Sequence, residues 1–443
     1  MEKYKVSVIV PCLNGELYIQ KCLDSIITQT LREIEVLVVD AFSTDDTRKI
    51  VKEYVKKDNR IRLLDDSEKS TGYAKNLGIL KARGEYIAIV EPDDYIAIDM
   101  LEKLYKVACD TSADIVKGNY CSTISNNDKD YFFPKSTSVK IKDYNLVIEP
   151  LKYKEAFLWV KNEWLGIYNR KFLLEHNIVH NETKGAAFQD VGFWFLSFAY
   201  ARTVVLIRDT LYYYRRDNEN ASMKNPNKVF DTMIEYEYIY DRLHEESELW
   251  NEIKNIYYCC LFKDNLSVLR RINPSLRIGL INSIREKMLM AKSEGNISEE
   301  LFGDDLTNLN MLLDDPQSLN YEIAIREDNC YLKNNKLIKE LKKYEDIIVF
   351  GAGSYGCNLH YLLEGQDIKP KAFSDNDLSK IGETKNGLKV ISLHDCERKY
   401  NNPLYIVASK NKNDEIRLNL ENKGIDKNRI MTIVLEDILK EII

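Results

Sequence analysis

The chain is short of several things, and each shortage narrows the field. Its nine cysteines are odd in number and show no close paired spacing, which speaks against a disulfide framework and against structural zinc. Cys259 and Cys260 are adjacent but have no partner at metal spacing. Positive charge is not in excess: 63 Lys and Arg against 70 Asp and Glu leave a net charge of −7, so no nucleic-acid partner is expected. No apolar run reaches membrane-spanning length, and no signal-peptide pattern precedes the first strand pattern. A cytoplasmic protein is expected. Internal repeats are absent. The 443 residues suffice for two or three domains, and an apolar fraction of 44% suffices for ordinary cores.

The most informative segment is Glu91-Pro92-Asp93-Asp94, which follows the apolar run Tyr86-Ile87-Ala88-Ile89-Val90. Carboxylates crowded at a strand end repel one another, and a hard cation shared with a phosphate relieves that repulsion. An acidic turn is the plainer alternative, since Pro and Asp are turn residues. Upstream, Val6 to Val10 reads as a buried strand entering a loop at Pro11-Cys12-Leu13-Asn14-Gly15. Tyr18 to Thr28 has helical spacing. Ile34 to Asp40 reads as a second strand, and Ser43 to Asp46 as a capping cluster for the helix that follows. Strands and helices alternating at this pitch predict a mostly parallel sheet with helices on both faces. Ligands of such sheets sit outside the carboxyl ends of the strands. Asp40 and Asp93 both fall there.

In order, Val8 to Asn14, Val38-Val39-Asp40 with Ser43-Thr44-Asp45, Gly72 to Gly78, Gly84 to Ile87 and Glu91 to Tyr95 resemble the blocks of family 2 glycosyltransferases. The resemblance covers about the first half of the chain. It implies a GT-A fold of the nucleotide-sugar-binding type and transfer with inversion at the anomeric centre. It also implies roles by position. Asp40 resembles the acid that meets the nucleotide base, with Pro11 and Asn14 along the nucleoside. Lys75 stands where the family often has Arg and would reach phosphate. Glu91, Asp93 and Asp94 match the DXD region, with Asp93 as ligand of Mn²⁺ or Mg²⁺ and Glu91 and Asp94 on the donor side. Asp190, in Phe188-Gln189-Asp190, resembles the general base. Trp164, Arg215 and Arg216 are candidates for phosphate or acceptor contacts. The departures are Ala41-Phe42 for the common Asp-Gly, Glu91-Pro92 for Asp-Ser, and Gln189 for Glu.

Asp190 also has a plainer reading, as the cap of a helix over Val191 to Tyr200. From about Asn225 to Lys343 apolar residues recur at helical spacing, with no catalytic cluster. The end of the chain is a separate unit. Asp346 to Phe350 reads as a strand, followed by Gly351-Ala352-Gly353-Ser354-Tyr355-Gly356 and a helix, with Asp375 at the distance of an acid that meets a ribose. It resembles the small Rossmann-like domains of bacterial sugar-modifying enzymes, and a packing role is as open as nucleotide binding.

The expectation is therefore an α/β chain in three parts: a GT-A domain over 1–224, a helical segment over 225–343 and a Rossmann-like domain over 344–443. Its partners would be a nucleotide-sugar donor, UDP first, and a glycan or lipid-linked glycan acceptor of bacterial surface polysaccharide. Peripheral contact with the inner membrane face and homo-oligomerisation are left open. The alternatives are a catalytically inactive sugar-nucleotide-binding or assembly protein and, ranked lower, a nucleotidyltransferase, whose basic phosphate loop is missing: no Lys or Arg follows the first strand before Lys21.

Overall fold

The computed structural model describes residues 4–126, 129–186, 188–218, 228, 230–324, 339–365, 368–407 and 413–433. The expected junction at 224/225 lies outside them. The chain divides into two compact units, Met1–Thr123 with Pro134–Ile323, and Ile124–Phe133 with Ala324–Ile443.

The first unit is built on one sheet. The strands up to Arg215 are β1 (Val6–Cys12), β2 (Ile34–Asp40), β3 (Ile61–Asp65), β4 (Tyr86–Ile89), β5 (Tyr95–Ile96), β6 (Ile115–Asn126), β7 (Lys129–Lys135), β8 (Val147–Ile148), β9 (Gly166–Asn169) and β10 (Val204–Arg215), of which the end of β6 and most of β7 belong to the second unit. They run in the order β3-β2-β1-β4-β9-β6-β10-β5, with β7 on β6 and β8 on β10. The pairs among β3, β2, β1 and β4 are parallel, whereas β9 lies antiparallel between β4 and β6. The helices are α1 (Ile19–Ile27), α2 (Thr47–Lys57), α3 (Thr71–Lys81), α4 (Met100–Thr111), α5 (Arg170–Glu175) and α6 (Gln189–Tyr200), then α7 (Asp231–Leu243), α8 (Ser247–Leu269), α9 (Pro274–Ser293), α10 (Glu299–Phe302) and α11 (Leu306–Asp314).

Every residue of β1 and β2 is buried, because alternate side chains feed opposite faces and both faces are covered. Val6, Val8 and Val10 enter a core with Leu23 and Ile26 of α1 and Leu101 and Leu104 of α4. Ile9, Leu37 and Val39 enter the opposite core with Ala74 and Ile79 of α3 and Phe193 to Leu196 of α6. The same core holds Tyr236, Ile239, Ile256, Leu280 and Leu312: α7 packs against the helix that bears Asp190, α8 against α7, α9 against α8 and α11 against α9.

Three local features differ from the sequence expectations. β1 runs on through Pro11 and Cys12 beside Val39 and Asp40. Proline is tolerated there because the pairing with β4 stops at Ile9, so its missing N–H costs no ladder bond. Arg215, singled out above as a cation, ends one long strand, Val204–Arg215, with register shifts between Leu206 and Tyr212. Finally, Asp190 does not cap α6. Phe188 holds the cap position with φ 58°, and Asp190 lies inside the first turn.

The second unit carries a sheet in the order β13-β14-β12-β11-β15-β16, from β11 (Ile347–Phe350), β12 (Ala372–Ser374), β13 (Thr384–Lys385), β14 (Leu388–Ile391), β15 (Leu404–Val407) and β16 (Ile430–Thr432). Only the β13–β14 pair is antiparallel among those described. Ile347 and Val349 face one core with Phe373 and Leu359, and Ile348 and Phe350 face another with Tyr405 and Leu420, the two-faced burial of a Rossmann-like layer. Among the described residues no helix is long and apolar enough to cross a membrane.

Candidate active site

Two loops meet at the carboxyl ends of β1 and β2. Asn14 sits at φ 51°, a left-handed conformation that Asn accepts more readily than most residues. Its amide N–H donates to Ser43 Oγ (2.8 Å), and its Oδ1 accepts from the Thr44 amide (2.8 Å). Asn14 thereby pins the first loop to the second. Asp40 is fully buried. Ser43 donates to its Oδ1 from the hydroxyl (2.5 Å), while Arg48 reaches its Oδ2 at 2.7 Å. Arg48 also pairs with Asp65 at 2.8 Å. Pro11 is buried within β1.

The acidic loop after β4 separates its three carboxylates by environment. Asp94 is buried, accepting from the Tyr212 hydroxyl (2.8 Å) and the Arg215 amide (2.7 Å); burial, then the neighbouring Asp93, raises its carboxyl well above the usual range. Asp94 therefore anchors the loop from below. Asp93 is partly exposed, and Asn218 donates to its Oδ2 at 2.8 Å. Glu91 pairs with Lys75 at 2.9 Å. Arg215 is nearly buried, its Nε donating to the Asp93 carbonyl (3.0 Å) and its guanidinium reaching Asp217 (3.2 Å) and the face of Tyr18. Arg215 thus fastens the acidic loop. Arg216, partly exposed, lies 5.5 Å from the Tyr214 ring. Trp164 is packed between Tyr212 and Tyr214 at 4.3 and 5.2 Å and is 9% exposed, so little of it is open to a ligand.

Behind this rim lies a buried network. The Lys75 ammonium bridges Glu91 and Glu163, and the other oxygen of Glu163 meets His180 Nε2. Burial alone would neutralise Lys75, but Glu163 and Glu91 outweigh it and hold the ammonium charged. Burial likewise opposes ionisation of Glu163, yet Lys75 and His180 bring its carboxyl down to about 2. Asp190 is partly exposed. Desolvation first, then the negative charge of Glu163, pushes its carboxyl up to about 7, with Lys75 opposing. Lys117, fully buried, reaches the Asn162 carbonyl and the Tyr168 hydroxyl, and burial brings its ammonium down to about 7. Lys75, Glu91 and Asp190 were candidates from the sequence. Glu163, His180 and Lys117 were not: none of the three stands in a motif block or at a spacing that can be read from the sequence.

Among the described residues no group of three His, Cys, Asp or Glu side chains is arranged as a metal cage. The donor chemistry fits a cation held less completely. Mg²⁺ and Mn²⁺ bind through one or two carboxylates with phosphate oxygens and water completing the shell, and Asp93 is a partly exposed carboxylate at the strand end.

In the second unit Gly351 has φ 112°, a conformation that suits glycine. A Cβ on Gly356 would collide with the Gly351 carbonyl, whereas one on Gly353 would meet nothing within 4 Å. Asp375 accepts from the Ala352 amide (2.7 Å) and pairs with Lys380 at 3.0 Å, so it ties down the glycine loop.

A family model described as "Glycosyl transferase family 2" matches residues 7–181, and one described as "C2185-like, N-terminal" matches residues 343–431. Glycosyltransferase GlyG of Streptococcus pneumoniae serotype 4 is 32% identical over 214 residues, 48% of this chain and 70% of that protein. The uncharacterized glycosyltransferase EpsJ of Bacillus subtilis (strain 168) is 30% identical over 234 residues, 53% of this chain and 67% of that protein. Among solved structures, S. aureus TarS 1–349 in complex with UDP-GlcNAc is similar with a TM-score of 0.54 and 19% identity, over 74% of this chain and 92% of that one. That likeness is one of fold.

Proposed function

The chain belongs to glycosyltransferase family 2, and from that premise we propose that it moves a sugar from a nucleotide-diphosphate sugar to a hydroxyl of a bacterial surface glycan, free or lipid-linked, with Asp190 as general base. Single displacement inverts the anomeric carbon. The acceptor oxygen bonds to that carbon as its proton passes to the Asp190 carboxylate, and the bond to the diphosphate breaks with its electron pair leaving on phosphate oxygen. The observation that carries the reading is the place of Asp190, partly exposed in the first turn of α6, where burial and the charge of Glu163 push its carboxyl up to about 7. A base poised there accepts a proton near neutral pH and is matched to its task.

The remaining roles follow from position. Lys75, kept charged by two carboxylates, lies near enough to the rim to favour negative charge as it develops on the diphosphate. Asn14 and Asp40 hold the paired loops on which the nucleoside would rest. A divalent cation bound by Asp93 would neutralise the leaving diphosphate. UDP is proposed because the fold neighbour TarS was solved with UDP-GlcNAc.

The test is release of free nucleotide from UDP-, GDP-, dTDP- and CMP-sugars, with Mn²⁺, Mg²⁺ or EDTA. Slow release from a UDP-sugar that EDTA stops and Asp93→Asn abolishes is the expected result. Silence across the panel, together with no donor binding by calorimetry, overturns the reading.

A further inference from the structure

His180 touches three elements around Asp190. Its ring lies flat on Phe193 of α6 at 4.1 Å with an interplanar angle of 2°, three residues past Asp190. Its Nε2 meets Glu163, and its amide donates to Asn76 Oδ1 at 2.8 Å. Asn76 returns a bond from Nδ2 to the His180 carbonyl (2.9 Å) and another to Glu182 (2.9 Å). Asn76 follows Lys75 on α3. His180 and Glu163 are both 1% exposed or less. A carboxylate so buried is costly unless partnered on both oxygens, and here Lys75 takes one and His180 the other.

We propose that Glu163, fixed by His180, is a positioning residue for transfer: it anchors the Lys75 ammonium beside Glu91 and keeps a fixed negative charge near Asp190. The inference rests on the reading of Asp190 as base. Two consequences follow from the charges. With Glu163 ionised, Asp190 holds its proton to a higher pH and is a stronger base. With Glu163 and Glu91 both engaged, the Lys75 ammonium is held in one place, and from there its charge opposes that rise. The charged and titratable groups that face Asp190 are Glu163, Lys75 and Glu91, with Lys117 of β6 and Glu235 of α7, while those around His180 are Glu163, Lys75 and Glu182. Burial lowers the His180 pKa, Glu163 opposing, and both ring nitrogens face acceptor oxygens, Nε2 that of Glu163 and Nδ1 that of Asn76 at 3.2 Å.

The experiment is the pH profile of transfer for wild type, Asp190→Asn, Glu163→Gln, His180→Ala and His180→Gln, each checked for folding by melting and circular dichroism. Glu163→Gln and His180→Ala are expected to move the acid limb of kcat downward by about one pH unit and to lower the plateau about tenfold. His180→Gln places an amide donor near the position of Nε2 and should restore the wild-type limb. Should Glu163→Gln not accumulate as folded protein, the two His180 variants decide the matter. A limb that is present in wild type and unmoved in the folded variants overturns the proposal while the base reading stands. So does a His180→Gln as impaired as His180→Ala. Transfer that survives in Asp190→Asn overturns the base reading and this proposal with it.

Discussion

Replacing Asp190 with Asn should stop transfer and, at pH 8, raise the melting temperature. Burial and Glu163 lift this carboxyl from its ordinary 3.8 to about 7. Between those two values the folded state holds a proton that the unfolded chain has released, so stability falls as pH rises through that window and the penalty is complete above it. A gap of about three units at 1.36 kcal/mol each sets a ceiling of about 4 kcal/mol. Water at the partly exposed carboxylate and the cost of burying an amide in its place reduce the gain to about 1–2 kcal/mol. That corresponds to a rise of roughly 2–4 °C for a unit of this size. Melting at pH 8 and at pH 5 measures it. At pH 5 the carboxyl is protonated in the fold and most of the penalty is absent, so the difference should shrink. An Asn variant that melts no higher than wild type at pH 8 refutes the claim that Asp190 is held against its own ionisation. Retained turnover refutes its role as base.

Gly356→Ala should lower the melting temperature of the second unit, because the new Cβ collides with the Gly351 carbonyl, while Gly353→Ala should leave it unchanged, its Cβ meeting open space. A bulky residue at position 353 then tests the loop for nucleotide binding by calorimetry without the fold as a confounder. Glu35→Gln should cost about 3 kcal/mol at neutral pH. Burial works against this carboxylate, but Ser7 (2.7 Å) and Arg83 (2.6 Å to its amide) hold it below the usual range. That stability is present above the unfolded carboxyl value and lost as pH falls through the folded one, so the wild-type advantage in urea denaturation should vanish in acid. An advantage independent of pH would sink this account.

The alternating architecture was readable because β1, β2 and β4 are runs apolar but for Ser7 and Glu35 that lead into Pro11, Asp40 and Glu91. β10 was not readable as one strand because Arg208-Asp209-Thr210 breaks its apolar pattern where its pairing with β6 slips. The antiparallel β9 gave no warning either: four residues, Gly166–Asn169, are too few to show a period. The same limit applied to the site. Lys75, Glu91 and Asp190 lie in motif blocks, so they could be singled out. Glu163 meets Lys75 across 88 residues of sequence, and only the insertion of β9 between β4 and β6 brings it there. Arg215 was legible as a cation but not in its commitments, since binding to the Asp93 carbonyl and to Asp217 is a property of the folded loop.

One acid in the helical region bears on α6, the helix that carries Asp190, more directly than its sequence suggested. Glu235 of α7 is 1% exposed. Asn181 donates to its Oε1 at 3.0 Å, and a Cβ on Gly192 of α6 would lie 2.5 Å from its Oε2. Glycine at 192 is what lets α7 approach the first turn that carries Asp190. Desolvation raises the Glu235 carboxyl to about 8, with Asn181 opposing and Asp190 adding to the rise. At neutral pH the group is therefore mostly a neutral acid, and Glu235→Gln should be tolerated within about 1 kcal/mol, keeping transfer. Glu235→Ala strands the part-buried Asn181 amide and should cost about 1–3 kcal/mol, while Gly192→Ala should push the Glu235 carboxyl off its place beside α6 and lower stability. Urea denaturation and nucleotide release on the three variants separate the cases. A Gln variant as unstable as the Ala variant would mean that Glu235 is ionised in the fold, and that its charge rather than its shape holds α6 in place.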